Sequence, residues 1–512
     1  MTAQRLFVAL FIITLLTMGI RESLDPDMWW HLRTGEYIIE SGIPRQDLFS
    51  YTVPENRWVT HEWLSQVIMW VVYSVGGLPG LVLFFAGVIG LTFGLVYLCC
   101  AGRPYLAGFI VFLAAVASAI TWGVRPQMFN MLFMALFVFL VERVRTGRYS
   151  PRVMWLLPVL TIVWVNLHSG YLLGVVLLAT YFVGEIAEQW LASRKAAHIP
   201  PQSSDDHQPL PKQEMAAVND YGMDRDGIRL LGLVTFFCFL AAALNPNGIE
   251  LWIYPFETLG STAMQTYIQE WRPPDFHFVI FWPFAALIAL GISGWLVAFR
   301  QRKTPPTIAE MLLFLGTAAA GLLSARHIPL FAVVAAPVVC RTWWMSLKNT
   351  SFGRLHRPPA RKPPLIISLA SWLVVCVAVV AAAAWAFTIL AQNEEKIAET
   401  YPVAAVDYLE ANGLHEARGY NRYDWGGYLI WREVPVFVDG RADVYADPFL
   451  FYYLQTFEVQ EDWQEPLDEY EVTYVLMNRS SPLGTLLAAS SEWQEVYQDD
   501  LAEIYIRRDS TD

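Results

Sequence analysis

About eleven stretches of this chain are apolar over nearly the length a helix needs to cross a bilayer, roughly 20 residues. They are residues 5–21, 79–100, 104–121, 127–142, 153–167, 170–190, 230–244, 279–298, 308–323, 328–345 and 365–391. Such a pattern constrains the fold class before anything else does: the chain is expected to be a polytopic α-helical membrane protein. Charge agrees, because only 16% of residues are Asp, Glu, Lys or Arg, against about 25% in an ordinary soluble domain. Residues 5–21 read as a signal anchor and not a cleaved signal peptide, since the flank GIRESLDPD offers no small-x-small site and further spans follow.

One more stretch, HEWLSQVIMWVVYSVGG at 61–77, is ambiguous because its apolar part is short for a crossing. Loop charge decides. If 61–77 lies flat along the interface, Arg5, Arg103, RVRTGR (143–148), Arg194 with Lys195, RQRK (300–303) and the basic 341–362 stretch all share one side. That is the positive-inside pattern, and it places the N-terminus in the cytoplasm. The polar 191–229 segment then reads as a flexible cytoplasmic linker.

The tail differs in kind. Residues 392–512 hold 25 of the 47 Asp+Glu but only 8 of the 35 Lys+Arg, so an acidic external domain follows a basic-looped membrane domain, 1–391. Helix-like PVAAVDYLEANG (402–413), strand-like VPVFVDGR (434–441) and VTYVLMN (472–478), and a hairpin over 493–507 make the tail a small α/β domain. Within it, VDGRADVY (438–445) reads as an ion-pair network in a turn or as an acceptor contact. The five cysteines all lie in apolar runs, which excludes a disulfide framework or a zinc site. Nothing in the charge pattern suggests nucleic acid.

With this topology one face collects the polar residues: Asp25, Asp27, His31, His61, Glu62, Arg125, Asn166, His168, Asn245, Asn247, Glu270, Arg326 and His327. Polar groups beside a membrane are costly and tend to mark function. The densest cluster is the first external loop, 22–78, which opens LDPDMWWHLRTGEYIIESGIPRQDLFSYT. Asp25 and Pro26 suit a helix start. Asp27 and His31 are four apart and share a helix face, Arg33 and Glu36 are spaced to pair, and Trp29 and Trp30 suit the lipid–water interface. An interfacial helix would hold Asp27 at headgroup level. There a carboxylate can take a proton from an acceptor or hold a divalent cation beside a phosphate, tasks that suit a lipid-phosphate substrate.

The same stretch resembles the first external loop of the catalytic subunit of oligosaccharyltransferases, with Asp27 at the catalytic, metal-binding aspartate and HLR (31–33) at the family's spacing. TYIQEWRPP (266–274) is similar to the fifth-loop motif and gives Glu270 the glutamate position. SARHIPLFAVVAAP (324–337) resembles the segment whose arginine meets the lipid diphosphate, here Arg326 with His327 beside it. NRYDWGGYLIW (421–431) looks like a permuted acceptor motif, which offers Asp424 and Trp425. The second loop, TWGVRPQ (121–127), departs from the family: it lacks the acidic pair and carries Arg125.

The wider resemblance is to the GT-C superfamily of integral-membrane glycosyltransferases, and to a little-characterised bacterial group within it. What it implies is inverting transfer of a sugar or glycan from a polyprenyl-(di)phosphate donor to an external acceptor. Asp27 and Glu270 would be catalytic; Arg326, His327, His168, Arg125 and Asn166 would hold phosphate; Asp424, Trp425 and Glu270 would hold acceptor. Asp27 with His31 would ligate a divalent metal, Mg²⁺ or Mn²⁺. A transporter or flippase of a lipid-linked substrate, and a non-catalytic scaffold that kept the fold, are the alternatives.

Overall fold

A computed structural model describes residues 1–197, 222–301, 306–356 and 363–508. Most of the predicted linker, and part of the basic stretches at 300–303 and 341–362, lie outside the described residues. Helices run into both ends of the linker, to Ala197 on one side and from Arg225 on the other.

Six helices among the described residues are long and apolar enough to cross a membrane: Trp63–Cys99, Gln127–Arg145, Tyr171–Arg194, Val279–Arg300, Ala325–Leu347 and Leu365–Thr400. Shorter apolar helices, Ala3–Gly19, Tyr105–Thr121, Pro151–Leu167 and Ile308–Leu323, complete the body. The surface shows which solvent this body needs. On Leu365–Thr400, Leu365 and Phe387 are each 75% exposed, and a continuous apolar helix face of that kind is stable only against lipid. The chain is an integral membrane protein.

Three helices position the candidate site. α1 (Ala3–Gly19) and α2 (Asp27–Ser41) both pack on α3 (Trp63–Cys99). α3 is two helices joined at Gly77, whose φ of 61° only glycine adopts readily. The break falls where the flat segment was expected to end and the following span to begin. The joint of α2 with α3 is close: a Cβ on Gly35 would lie 2.1 Å from the Gln66 carbonyl oxygen. Thr60 does not cap α3. Its hydroxyl bonds the Pro44 carbonyl at 2.9 Å, and the helix starts after Glu62.

At the far end from the site a second polar layer is buried. Arg145 bonds Glu142 and Glu185 at 2.7 and 2.6 Å, and Arg341 pairs with Glu310. Some residues that mark the basic loops are therefore neutralised inside the body.

The C-terminal unit carries one four-stranded sheet in the order β1 (Gly419–Asn421), β2 (Tyr474–Asn478), β4 (Ala502–Arg507), β3 (Trp493–Gln498). β1 and β2 are parallel, and the hairpin of β3 and β4 is antiparallel. The helix expected at 402–413 is Val403–Ala411. The strand expected at 434–441 does not form. That segment is buried and bridges once, Val436 with Ser50 of the first loop, so its partner is loop and not sheet.

Trp29 and Trp30 are corrected as well. Trp29 is 4% exposed and packs on Tyr401, Tyr428 and Trp431 at ring-centroid distances of 5.7, 5.2 and 6.1 Å. Trp30 packs against the His31 ring at a tilt and meets Trp58 edge to face. Both tryptophans are buried where the C-terminal unit docks on α2, because aromatic partners there cover them more fully than headgroups would.

Candidate functional site

Asp25 closes the start of α2. Its Oδ1 accepts the backbone N–H of Asp27 at 3.1 Å, as a capping carboxylate does. Asp27 follows on the wall of a cavity of about 1190 Å³ between the helical body and the C-terminal unit. The indole N–H of Trp30 donates to Asp27 Oδ1 at 3.0 Å. Gly440 of the C-terminal unit covers that same oxygen, and a Cβ there would stand 2.2 Å from it. Burial, with the charge of Asp25 adding to it, pushes the Asp27 carboxyl up to about 7.

One end of the cavity is an arginine–carboxylate cluster. Arg125 is 8% exposed and lies between Asp25 (Nε to Oδ2, 3.3 Å) and Glu270, with which it forms a close ion pair. Burial works against the guanidinium, but the two carboxylates outweigh it and hold its pKa above the ordinary value. Burial likewise opposes ionisation of Glu270, and Arg125 outweighs it, so the carboxyl sits below its ordinary range. Asp25 is pushed up, by burial first, against the pull of Arg125. Arg326 differs from Arg125. Its guanidinium rests over the Trp271 ring at 5.0 Å, and its charge, after that of Arg125, also helps hold Glu270 ionised. His327, on the same wall, has a buried Nδ1 with no hydrogen-bond partner among the described residues.

The other end gathers imidazoles around one carboxylate. Glu62 lies 2.9 Å from His61 Nε2, 3.3 Å from His168 Nε2 and 3.5 Å from His31 Nε2. His61 Nδ1 is 3.1 Å from the Val59 carbonyl, so both its nitrogens face acceptors. Burial disfavours that imidazolium, but Glu62 outweighs it and raises the pKa. Burial takes the other two rings the opposite way, His31 to about 4 and His168 to about 3. One proton on His61 therefore balances Glu62.

The tautomer of His168 follows from its partners. Its Nδ1 accepts the Gly170 amide at 2.9 Å and faces the Asn130 amide nitrogen at 2.8 Å. Asn130 is oriented by the Trp164 indole, which donates to its Oδ1 at 2.8 Å. The ring proton is then on Nε2, which faces the Glu62 carboxylate at 3.3 Å.

Of the residues given a catalytic, binding or metal-ligating role from sequence, Asp27, His31, Arg125, His168, Glu270, Arg326, His327 and Asp424 line this one cavity. Two do not. Asn166 directs its amide to the Ile162 and Leu244 carbonyls and accepts from Trp63, so its polar atoms are used in packing. Trp425 is 2% exposed and donates to the Thr400 carbonyl. Sequence reasoning placed Asp25 among the outer-face polar residues and at a helix start, gave it no role in the reaction, and left out Tyr254 and Tyr423. Asp443, within the DGRAD run, reaches the same wall and accepts from Tyr254 at 3.0 Å; the run itself was the available signal. The two tyrosines carry none.

The carboxylates do not suit the expected metal. Divalent cations need several free oxygens close together. Here Asp25 and Glu270 face Arg125, and Asp27 Oδ1 holds the Trp30 indole. Among the described residues no group of three or more His, Cys, Asp or Glu side chains could hold a metal ion.

No protein-family model matches the chain, and no curated protein matches it. Solved structures do. The Archaeoglobus fulgidus oligosaccharyltransferase, tethered with an acceptor peptide containing the NVT sequon, is similar at TM-score 0.51 and 13% identity over 93% of this chain and 69% of that one. ArnT from Cupriavidus metallidurans bound to undecaprenyl phosphate is similar at TM-score 0.51 and 13% identity over 99% of both chains. Its apo state matches at TM-score 0.50 and 15% identity over 98% of this chain and 97% of that one. At these identities the likeness is one of architecture: the chain has the fold of the GT-C integral-membrane glycosyltransferases.

Proposed function

We propose that this protein is an inverting glycosyltransferase that moves a sugar from a polyprenyl-linked phosphate donor to an acceptor on the outer face of the cytoplasmic membrane. The N-terminus would be cytoplasmic and the C-terminal unit external. The observation that carries the reading is convergence: a carboxyl poised near neutrality, an arginine resting over an aromatic ring and an imidazole with an unpartnered Nδ1 share one cavity of about 1190 Å³. Two of the structures similar in fold hold, by their own descriptions, undecaprenyl phosphate and an acceptor peptide.

In this reading the donor's chain stays in lipid and its phosphate meets Arg326 and His327. Asp27 is the base. An acceptor hydroxyl attacks the anomeric carbon from the side opposite the phosphate, and its proton passes to Asp27. The carbon–oxygen bond to phosphate breaks and its electron pair leaves with the polyprenyl phosphate. One displacement inverts the anomeric centre. Glu270 holds Arg125 and does not touch the reacting atoms. Asp424, paired to Arg422 at 2.9 Å, lies on the C-terminal wall, and in this reading it meets the acceptor.

The test is transfer from a radiolabelled polyprenyl-phosphate sugar to a cell-envelope extract by purified protein in nanodiscs, wild type against Asp27→Asn. Loss of transfer by about a hundredfold or more is expected for a missing general base. Equal transfer by both proteins would remove Asp27 from the mechanism, and no transfer by either would remove the reading.

A further inference from the structure

The end of the body opposite the cavity carries a cluster of arginines that the proposed reaction does not use. The span Gln127–Arg145 begins at the cavity wall and ends in this cluster. Gly147, with φ at 64°, closes its last turn and lets the chain fold back. The amides of Arg148 and Tyr149 then both donate to the Arg143 carbonyl, at 2.9 and 3.0 Å, which sets Arg148 beside the helix end. α3 runs parallel to this span. Toward the cavity Phe84 meets Phe129 at 6.2 Å, and the same number of residues further along each helix Arg143 Nη2 donates to the Leu98 carbonyl at 3.0 Å. Arg103, in the turn after α3, is the third member.

Little in the protein answers these charges. Arg143 makes one side-chain hydrogen bond, the one to Leu98, and its Nε is buried with no partner among the described residues. The formal charges that act on it are those of Arg148 and Arg103, like its own in sign. Its sequence neighbour Glu142 is held elsewhere, by Arg145 at 2.7 Å and by the Tyr181 hydroxyl at 3.0 Å. None of the three arginines has an ion-pair partner among the described residues. Like charges held close repel, and a buried donor left without an acceptor is unfavourable. A phosphate answers both, because its oxygens match guanidinium forks.

An apolar seam leads to the cluster. Leu91, Leu95 and Leu98 lie on one face of α3, and Leu132, Leu136 and Phe139 on one face of Gln127–Arg145, by their helical spacing. Leu91 and Leu98 are exposed and the other four half-buried. Phe139 carries the Arg143 guanidinium 4.8 Å from its ring centroid, and Tyr149 meets the Phe139 ring edge to face at 6.2 Å. A lone arginine at a span end merely reaches toward headgroups. Here three converge at the foot of a seam, which is the layout of an amphiphile with a phosphate at one end.

We propose that the cluster and the seam form a binding site for an anionic phospholipid of the leaflet opposite the cavity, its phosphodiester held by Arg103, Arg143 and Arg148 and one acyl chain lying between α3 and Gln127–Arg145. A zwitterionic headgroup would bring an ammonium group against three guanidiniums, so the site selects net negative lipids. It is remote from Asp27 and stands whether or not the cavity performs transfer.

The full chain in detergent micelles is titrated by native mass spectrometry with three probes: phosphatidylglycerol, phosphatidylethanolamine and glycerol 3-phosphate. The first phosphatidylglycerol is expected to bind about tenfold more tightly than phosphatidylethanolamine. Glycerol 3-phosphate has the phosphate but no chain, and is expected not to bind at the same concentrations. Arg103→Gln combined with Arg148→Gln is expected to bring phosphatidylglycerol down to the level of phosphatidylethanolamine. Neither arginine has an ion pair to lose, so the lipid-free Tm is expected to stay in place. Arg229→Gln is the control: Arg229 is exposed at the same end of the body but paired to Asp226 at 3.2 Å, and its loss is expected to leave binding unchanged. Equal binding of the two lipids by the wild type, which needs no variant, would overturn the inference. A preference that survived the double variant would place the anionic lipid elsewhere and overturn it too. So would an equal loss in Arg229→Gln, which would make net charge the cause, or binding of glycerol 3-phosphate as tight as that of the lipid, which would assign the cluster to a soluble phosphate.

Discussion

Asp27 sets how the proposed reaction responds to pH. Its carboxyl is held at about 7, first by burial and next by the charge of Asp25. A base must be ionised to take a proton, so transfer is present above pH 7 and falls as pH drops through that value, about tenfold per unit on the acid limb. Asp25→Asn removes a neighbouring negative charge. The Asp27 pKa then falls, and the acid limb moves to lower pH. A pH–rate profile of the purified protein checks this, and a limb that stayed in place would show that Asp25 does not tune Asp27. The type and spacing of these residues were legible in the sequence, since two carboxylates flanking a proline ahead of a helical run form a cap. Their ionisation was not, because it depends on Arg125 and Glu270, which are distant in sequence and reach Asp25 only through packing.

At the scale of elements, the joint between α2 and α3 fixes where His31 and Glu62 stand. Glycine inside a helix is unfavourable by about 1 kcal/mol relative to alanine, yet Gly35 lies mid-helix in α2. The close Gln66 carbonyl explains it. Gly35→Ala has no room and is expected to destabilise by about 1–3 kcal/mol, read as a lower Tm in detergent. Gly76, with nothing within 4 Å of a Cβ, is the control and is expected to tolerate alanine. Equal Tm values for the two variants would mean that α2 shifts to accommodate the methyl. Local pattern carried the elements well: the Arg33–Glu36 pair read from spacing forms at 2.5 Å, and each expected span has a helix over it. Pattern failed where the partner is remote. The alternation in VPVFV reads as a strand, but its neighbour is Ser50, in a loop no local signal connects to it. Asn166 and Trp425 have the residue types of a site, yet packing had already engaged their polar atoms.

At the scale of the whole molecule, the first loop and the C-terminal unit are one piece of machinery joined by a buried charge cluster. Arg441 is 1% exposed and bonds Asp439 within its own unit at 2.8 and 2.6 Å, and Asp47 of the first loop at 2.6 Å. Its guanidinium lies over Trp58 and Phe49, 4.6 and 5.0 Å from the ring centroids. Thr52 and Asn56 extend the joint by bonding the carbonyls of Phe437 and Val444, each at 2.8 Å. Gly440, between Asp439 and Arg441, is the residue that covers Asp27. The cluster therefore holds the lid of the cavity in register with the base. Arg441→Met keeps volume but leaves two fully buried carboxylates without a cation. Breaking a buried pair in this way costs about 3–5 kcal/mol, more than a domain joint of loops and a few aromatic contacts can absorb. The C-terminal unit is expected to undock, seen as faster proteolysis across residues 42–60 and loss of transfer, while the helical body stays intact. Adding Asp47→Asn to Arg441→Met removes one stranded charge and is expected to restore part of the protease resistance. If Arg441→Met left cleavage unchanged, docking would rest on the Trp29 aromatic contacts and on hydrogen bonds such as those of Thr52 and Asn56, and the charge cluster would have no part in aligning Gly440 with Asp27.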